Sequence, residues 1–218
     1  MSAQKAKSVG EQANAYAWLH QRARVAPNLL SQSPPWLRGV FEHSWAPVKA
    51  LAQQLDCLPR PLWTFLLGCE GGHVWIYDRQ SHYAPGPATL QHQAVRNVAY
   101  VSIEDLGREN ERPLHVIAHL IDHYLGCGGA PEGAWLSGGG GARPRWQEAG
   151  ARLSRLFPLG YGLDETARAN VRDYFAQSLA FYCRDRRRLN VADPQAEKWF
   201  RSTLWDKAFW RTTARQEG

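Results

Sequence analysis

No run of about 18 consecutive apolar residues occurs anywhere in the 218-residue chain, so no membrane-spanning helix is expected. The opening segment, Met1-Ser-Ala-Gln-Lys-Ala-Lys7, has no apolar stretch, and no secretory signal is predicted. A cytoplasmic location is the expectation, with secretion by a non-signal route left open. Cysteine is scarce: Cys57, Cys69, Cys127 and Cys183, with no Cys-x-x-Cys among them. Four cysteines allow three pairings. In a chain without a signal they read as reduced, small apolar side chains. Cys127 follows a histidine-rich segment, and burial is favoured for it over a ligand role. No internal repeat is visible.

What is present fits one compact unit with an extension. The chain is 44% hydrophobic and 11% aromatic, enough to bury a sizeable core. Residues 1–57 are expected to form an N-terminal helical region, and residues 58–218 the main domain. The net charge of +6 is uneven: residues 1–142 carry 11 basic and 11 acidic side chains, and residues 143–218 carry 15 and 9. Arg184-Asp-Arg-Arg-Arg188 is the densest cluster. It reads first as a solvated helix end, where cations suit the dipole. An acidic partner is the sharper alternative; nucleic acid is disfavoured because no nucleic-acid motif accompanies it. The ten tryptophans are scattered and read as core or interface anchors.

The most informative segment is His115-Val-Ile-Ala-His119-Leu-Ile-Asp122-His123-Tyr124-Leu-Gly126. Histidines four apart on a helix point the same way, and this is the spacing by which HExxH metallopeptidases hold zinc. Where those enzymes keep a glutamate this chain has Val116. On a helix, Asp122, His115, His119 and His123 fall on one polar stripe among apolar neighbours. Such a stripe needs a partner when buried: a metal ion, a carboxylate or water. A pair of hydrogen-bonded histidines near the surface is the plainer alternative.

A second segment, Asp173-Tyr-Phe-Ala-Gln177, also reads as helix, with Asn170, Asp173 and Gln177 on one face and Val171, Phe175, Leu179 and Tyr182 on the other. An aspartate near a helix start is often only a dipole contact. Facing the histidine pair, it would complete a set of two imidazoles and a carboxylate, a donor set that suits zinc with water in the open position.

In these motifs the chain resembles the catalytic domain of anthrax lethal factor and its relatives, the Pro-Pro endopeptidases among them. That family carries H-E-x-G-H, then a hydrophobic pair, Asp, and an aromatic-x-Gly ending, with its third ligand in a later E-F-F-A-E run. Arg188-Leu-Asn-Val191 followed by Pro194 is similar to the family's tail, and the resemblance covers residues 58–210. It implies an α+β, zincin-like fold, a small sheet packed on helices with the metal helix beneath. It implies Zn2+ on His115, His119 and Asp173, and Tyr161 as oxyanion stabiliser, although its spacing to Asp173 is longer than the family's. It further implies peptide binding along an edge strand, here Val98 to Ile103, through Val98, Tyr100 and Ser102.

The departures fall on the acids. Val116 has no group that accepts a proton, and general-base catalysis is worth about 10²–10⁴ in rate. Asp173 replaces the ligand Glu with a shorter carboxylate, and Gln177 removes a charge that would orient a ligand. The expected function is a degenerate metallopeptidase, binding metal, peptide or both, with little or no proteolysis. An active enzyme using Asp122 or His123 as base is the first alternative, Asp122 reading better as support for a ligand. A metal-free interaction domain is the second.

The spacing predicts helices over 11–24, from Ser33 to about 56 with a bend near Pro47, over 59–67, 110–125, 144–156, 164–183 and 193–210. Strands are predicted at His73–Tyr77 and Val98–Ile103, with loops at 81–88 and 126–142. The second loop contains Gly138 to Gly141 and reads as mobile.

Overall fold

Asn14 accepts a hydrogen bond from the Ala17 amide at 2.8 Å and starts the first helix, as an N-cap does. The computed structural model describes residues 13–159, 161 and 164–215. The chain forms two compact units, Met1–Pro113 and Leu114–Gly218. The boundary expected at residue 57 therefore falls inside the first unit.

The first unit contains α1 (Ala15–Arg22), β1 (Ala23–Val25), α2 (Leu29–Gln32), α3 (Pro35–Val40), α4 (Ala46–Leu55), α5 (Arg60–Gly68), β2 (His73–Tyr77), β3 (His82–Leu90), β4 (Gln93–Ser102) and α6 (Ile103–Gly107). The single bent helix expected from Ser33 is two helices. Pro47 lies at the start of α4, where a missing N–H costs nothing. Helix α1 packs on α4, α5 and β2. Trp18 and Trp63 meet in the core at 5.6 Å between ring centroids. Val74, Ile76, Ala99 and Val101 are fully buried, while Trp75, Tyr77 and Tyr100 of the opposite face are half-buried. Along β2 this is the alternation a sheet with one covered face imposes; in β4, Val98 and Ser102 of the Tyr100 face are buried as well.

The four strands run β1-β2-β4-β3, the first two pairs parallel and the last antiparallel. Two expectations are corrected here. The 81–88 loop is most of β3, the first arm of a hairpin whose turn residues Gln91 and His92 have φ of 48° and 66°. That suits a two-residue turn, but the Asn-Gly signature is absent. And β4 is interior rather than an edge: Val98 faces His73 on one side and Ala84 on the other, and Tyr100 faces Trp75 and His82. Val98, Tyr100 and Ser102 therefore do not offer an open edge to a peptide. Of the strands at the ends, β1 is three residues long, and β3 carries Pro85 and Pro87 with a register shift between Ala84 and Pro87. Short and proline-bearing edges resist strand addition.

Helix α7 (Arg112–Cys127) supplies the start of the second unit. It is followed by α8 (Pro144–Leu153), a 3-10 turn (Phe157–Leu159), α9 (Glu165–Ala169), α10 (Val171–Arg184), α11 (Arg186–Ala192), α12 (Pro194–Ser202) and α13 (Lys207–Arg215). The continuous helices expected over 164–183 and 193–210 are each broken in two. Asn170, extended at φ −160° and ψ 168°, ends α9 and caps α10 through its side chain. Tyr124, Trp146, Tyr174, Phe175 and Phe200 are among the buried side chains. The Tyr174 hydroxyl donates to Asp193 at 2.6 Å, and the Trp199 indole donates to the Ala149 carbonyl at 2.9 Å. In the arginine cluster, Arg186 pairs with Glu197 and Arg188 lies over the Phe181 ring at 4.6 Å. Part of that charge is thus used within the fold.

The glycine-rich segment is not a loose loop. Leu136 and Ser137 are fully buried and Trp135 is 6% exposed. A Cβ on Gly140 would fall on the Ala134 carbonyl, one on Gly141 on the Gln147 amide, and one on Gly126 on the Leu136 amide. These glycines permit close backbone approach. The segment is a packed strap across the end of α7.

Candidate metal centre

Asn110 accepts from the Arg112 amide at 3.0 Å just ahead of α7, and Pro113 suits the first turn. From there the helical pitch puts His115 directly before His119. On α10, the Asn170 cap accepts from the Arg172 and Asp173 amides at 3.0 and 2.9 Å. Its Nδ2 donates to Asp173 Oδ2 at 2.5 Å. That fixes the carboxylate and leaves Oδ1 toward the imidazoles.

His115, His119 and Asp173 converge. His115 Nε2 and His119 Nε2 are 3.1 Å apart, and Asp173 Oδ1 lies 3.5 Å from the first and 3.2 Å from the second. A tetrahedral ion with bonds of about 2.05 Å requires ligand separations of about 3.3 Å. Right-angled octahedral bonds of that length would need about 2.9 Å. The observed triangle is close to a tetrahedral face. Its side chains are 15–25% exposed, so solvent reaches the position opposite that face. Among the described residues this is the one group of three or more His, Cys, Asp or Glu side chains that could hold an ion.

The electrostatics suit ligands. Burial, then the neighbouring His119, hold the His115 pKa below its ordinary value. The hydrogen bond from His119 holds Asp173 below the usual carboxylate range. Neutral imidazole and ionised carboxylate are the forms that bind a cation.

Gln177, one turn along α10 from Asp173, explains how His115 is oriented. Its Oε1 lies 3.0 Å from His115 Nδ1, and its Nε2 donates to Asp164 Oδ2 at 3.1 Å. A carboxylate only accepts, so Asp164 turns the amide nitrogen toward itself. The amide oxygen must then face His115, and Nδ1 must carry the proton. Nε2 is left with its lone pair toward the triangle. An outer partner that fixes the tautomer is a common feature of metal sites. Asp164 was not legible as a site residue: it caps α9 by accepting from the Ala167 amide at 2.9 Å, and its position before Glu165 signals only a cap.

The other predicted residues go elsewhere. Val116 is buried at 3% exposure and brings no acid. Asp122, expected to support a ligand, is fully buried and holds the strap: it accepts from the Ser137 amide at 2.7 Å and hydroxyl at 2.6 Å. Burial pushes its pKa up to about 7. His123 stacks on Trp135 at 4.9 Å between centroids, with Nε2 2.9 Å from the Ala130 carbonyl. Both candidate substitute bases thus engage the strap. Tyr161 is 48% exposed, and among the described residues no hydrogen bond joins it to the cluster. Cys127 approaches the His123 and Ala130 carbonyls at 3.3 and 3.4 Å and is no part of the triangle. Val98, Tyr100 and Ser102 belong to the first unit; Tyr100 stacks on His82 at 4.6 Å, and the Ser102 amide donates to Ser81. No helix among the described residues is long and apolar enough to cross a membrane. Comparison with known protein families, with curated proteins and with solved structures finds no match for this chain.

Proposed function

We propose that the second unit is a metal-binding domain of degenerate, zincin-like type that holds Zn2+ on His115, His119 and Asp173 without hydrolysing peptides. The observation that carries this reading is the triangle of 3.1, 3.2 and 3.5 Å between three ligating atoms. Bound zinc would act as a Lewis acid toward a water or carbonyl in the open position. Around it the chain's own residues have separable tasks. Asp173 supplies the charge, Asn170 aims it, and Gln177 and Asp164 hold His115 in the ligating tautomer. The carboxylates among these groups are already engaged, Asp173 with Asn170 and the imidazoles and Asp164 with Gln177 and the Ala167 amide. Position 116 is valine, and the carboxylate of Asp122 is engaged by Ser137. The peptide half of the expectation loses its basis in strand addition at β4, since both sides of that strand are paired.

A metal-free cluster is the second reading, favoured by one observation. The 3.1 Å contact between the two Nε2 atoms closes as a hydrogen bond when one of them is protonated, with Asp173 as counter-charge. Metal analysis of protein purified without chelator separates the two. About one zinc per chain, lost in His119→Ala, supports the first. Less than about a tenth of an equivalent after zinc is added back leaves the second.

A further inference from the structure

We infer that Trp135 is a positioning residue that ties the Asp173-bearing helix to the histidine-bearing helix, and so sets the affinity of the metal site without touching the ion. The inference rests on the metal reading above and concerns how that site is held together.

The strap that carries Trp135 is fastened to α7 at several points. The Leu136 amide donates to the Asp122 carbonyl at 3.2 Å, and the Ala142 amide donates to the Leu125 carbonyl at 2.8 Å. Ser137 gives its amide and hydroxyl to the Asp122 carboxylate. Trp135 adds its own fastening, with the His123 imidazole stacked on the indole at 19° between planes. The Trp135 and His119 ring centroids also stand 6.2 Å apart at 66° between planes. Trp135 is therefore fixed relative to both His119 and His123.

From α10 comes one cation. The Arg172 guanidinium lies 4.0 Å from the centre of the Trp135 ring, close enough for a cation–π contact. Arg172 is the residue before Asp173, in the first turn of α10. A contact that holds Arg172 holds that turn, and Asp173 Oδ1 with it. The triangle tolerates little drift, because ligand bonds vary by only about 0.2 Å around their ordinary lengths. The glycines serve the same end: substitution at Gly140 or Gly141 would push the strap off its backbone neighbours and carry Trp135 with it.

Arg172 can also be viewed as a plain surface cation, whose loss would strengthen metal binding by removing like charge. The test keeps the charge. Arg172→Lys retains the cation but loses the planar stack. Zinc affinity is measured by competition with a chromophoric chelator, and apo-protein thermal midpoints are measured in parallel. The expected result is zinc binding weakened by about tenfold in Arg172→Lys and Trp135→Leu, with Trp135→Phe between these and the wild type. The apo midpoint of Arg172→Lys falls only slightly, because Arg172 is exposed and the strap keeps its other fastenings to α7. Wild-type-like zinc affinity in Arg172→Lys and Trp135→Leu overturns the inference while leaving the metal reading intact. Failure of the wild type itself to bind zinc overturns both.

Discussion

Replacing Gln177 with glutamate restores the carboxylate that the lethal-factor-like pattern has at this position, and the structure says why that alone gains little. The introduced carboxylate would accept the His115 Nδ1 proton in a charge-assisted bond, roughly 1 kcal/mol better than a neutral one. Its second oxygen would take the place of the Gln177 Nε2, which now stands 3.1 Å from Asp164 Oδ2. Two carboxylates at that distance repel by about 1 kcal/mol in the high dielectric that suits exposed Asp164, and by more if water is excluded. The two effects nearly cancel, so Gln177→Glu is expected to leave zinc affinity within about threefold of wild type. Adding Asp164→Asn removes the repulsion and supplies an amide donor to the new carboxylate. The double variant is expected to bind zinc about tenfold more tightly. Asp164→Asn alone frees the Gln177 amide to reverse and is expected to weaken binding. Chelator competition on the four proteins gives the coupling directly. If Gln177→Glu alone tightens binding as much as the double variant, Asp164 does not control the His115 tautomer and the relay is wrong.

Three further outcomes follow from the same geometry. The unmodified protein loaded with zinc should show no metal-dependent hydrolysis of a peptide library, and Val116→Glu should gain a small activity at some cost in stability, since position 116 is buried; ready hydrolysis by the unmodified protein overturns the degenerate reading. Asp122 keeps its proton in the folded state up to about pH 7, whereas the unfolded chain loses it near pH 4. Over that window the folded state binds more protons, so this group's contribution to stability falls as pH rises. The thermal midpoint of Asp122→Asn, relative to wild type, should therefore rise between pH 5 and pH 8, and a constant difference refutes the assignment. Gly140→Ala forces a methyl onto the Ala134 carbonyl and should lower stability by about 1–3 kcal/mol in denaturant unfolding, where a mobile loop would accept it unchanged.

What the sequence made legible is what periodicity controls. His115 and His119 share a helix face because they are four apart, and Asp173 and Gln177 repeat that spacing on a second helix. The convergence of three of these and the contact of the fourth with His115 follow once the helices meet. Glycine and proline hid the rest. The run from Gly138 to Gly141 reads as flexible, yet those residues are small because backbones touch there, and the partner of Asp122 lay immediately before that run at Ser137. Pro85, Gly86 and Pro87 concealed β3, and with β3 unseen β4 looked like an edge. Capping residues carry no period, so Asp164 gave no sign that its side chain also serves the site, and Asn170 was legible as sharing the Asp173 face but not as the cap that aims the carboxylate.

Anomalous scattering at the zinc edge, recorded on zinc-loaded crystals, decides whether His115, His119 and Asp173 share one ion. One peak is expected about 2.0–2.2 Å from His115 Nε2, His119 Nε2 and Asp173 Oδ1. A zinc peak elsewhere, or none there while the two imidazoles remain hydrogen-bonded to each other and to Asp173, would contradict it.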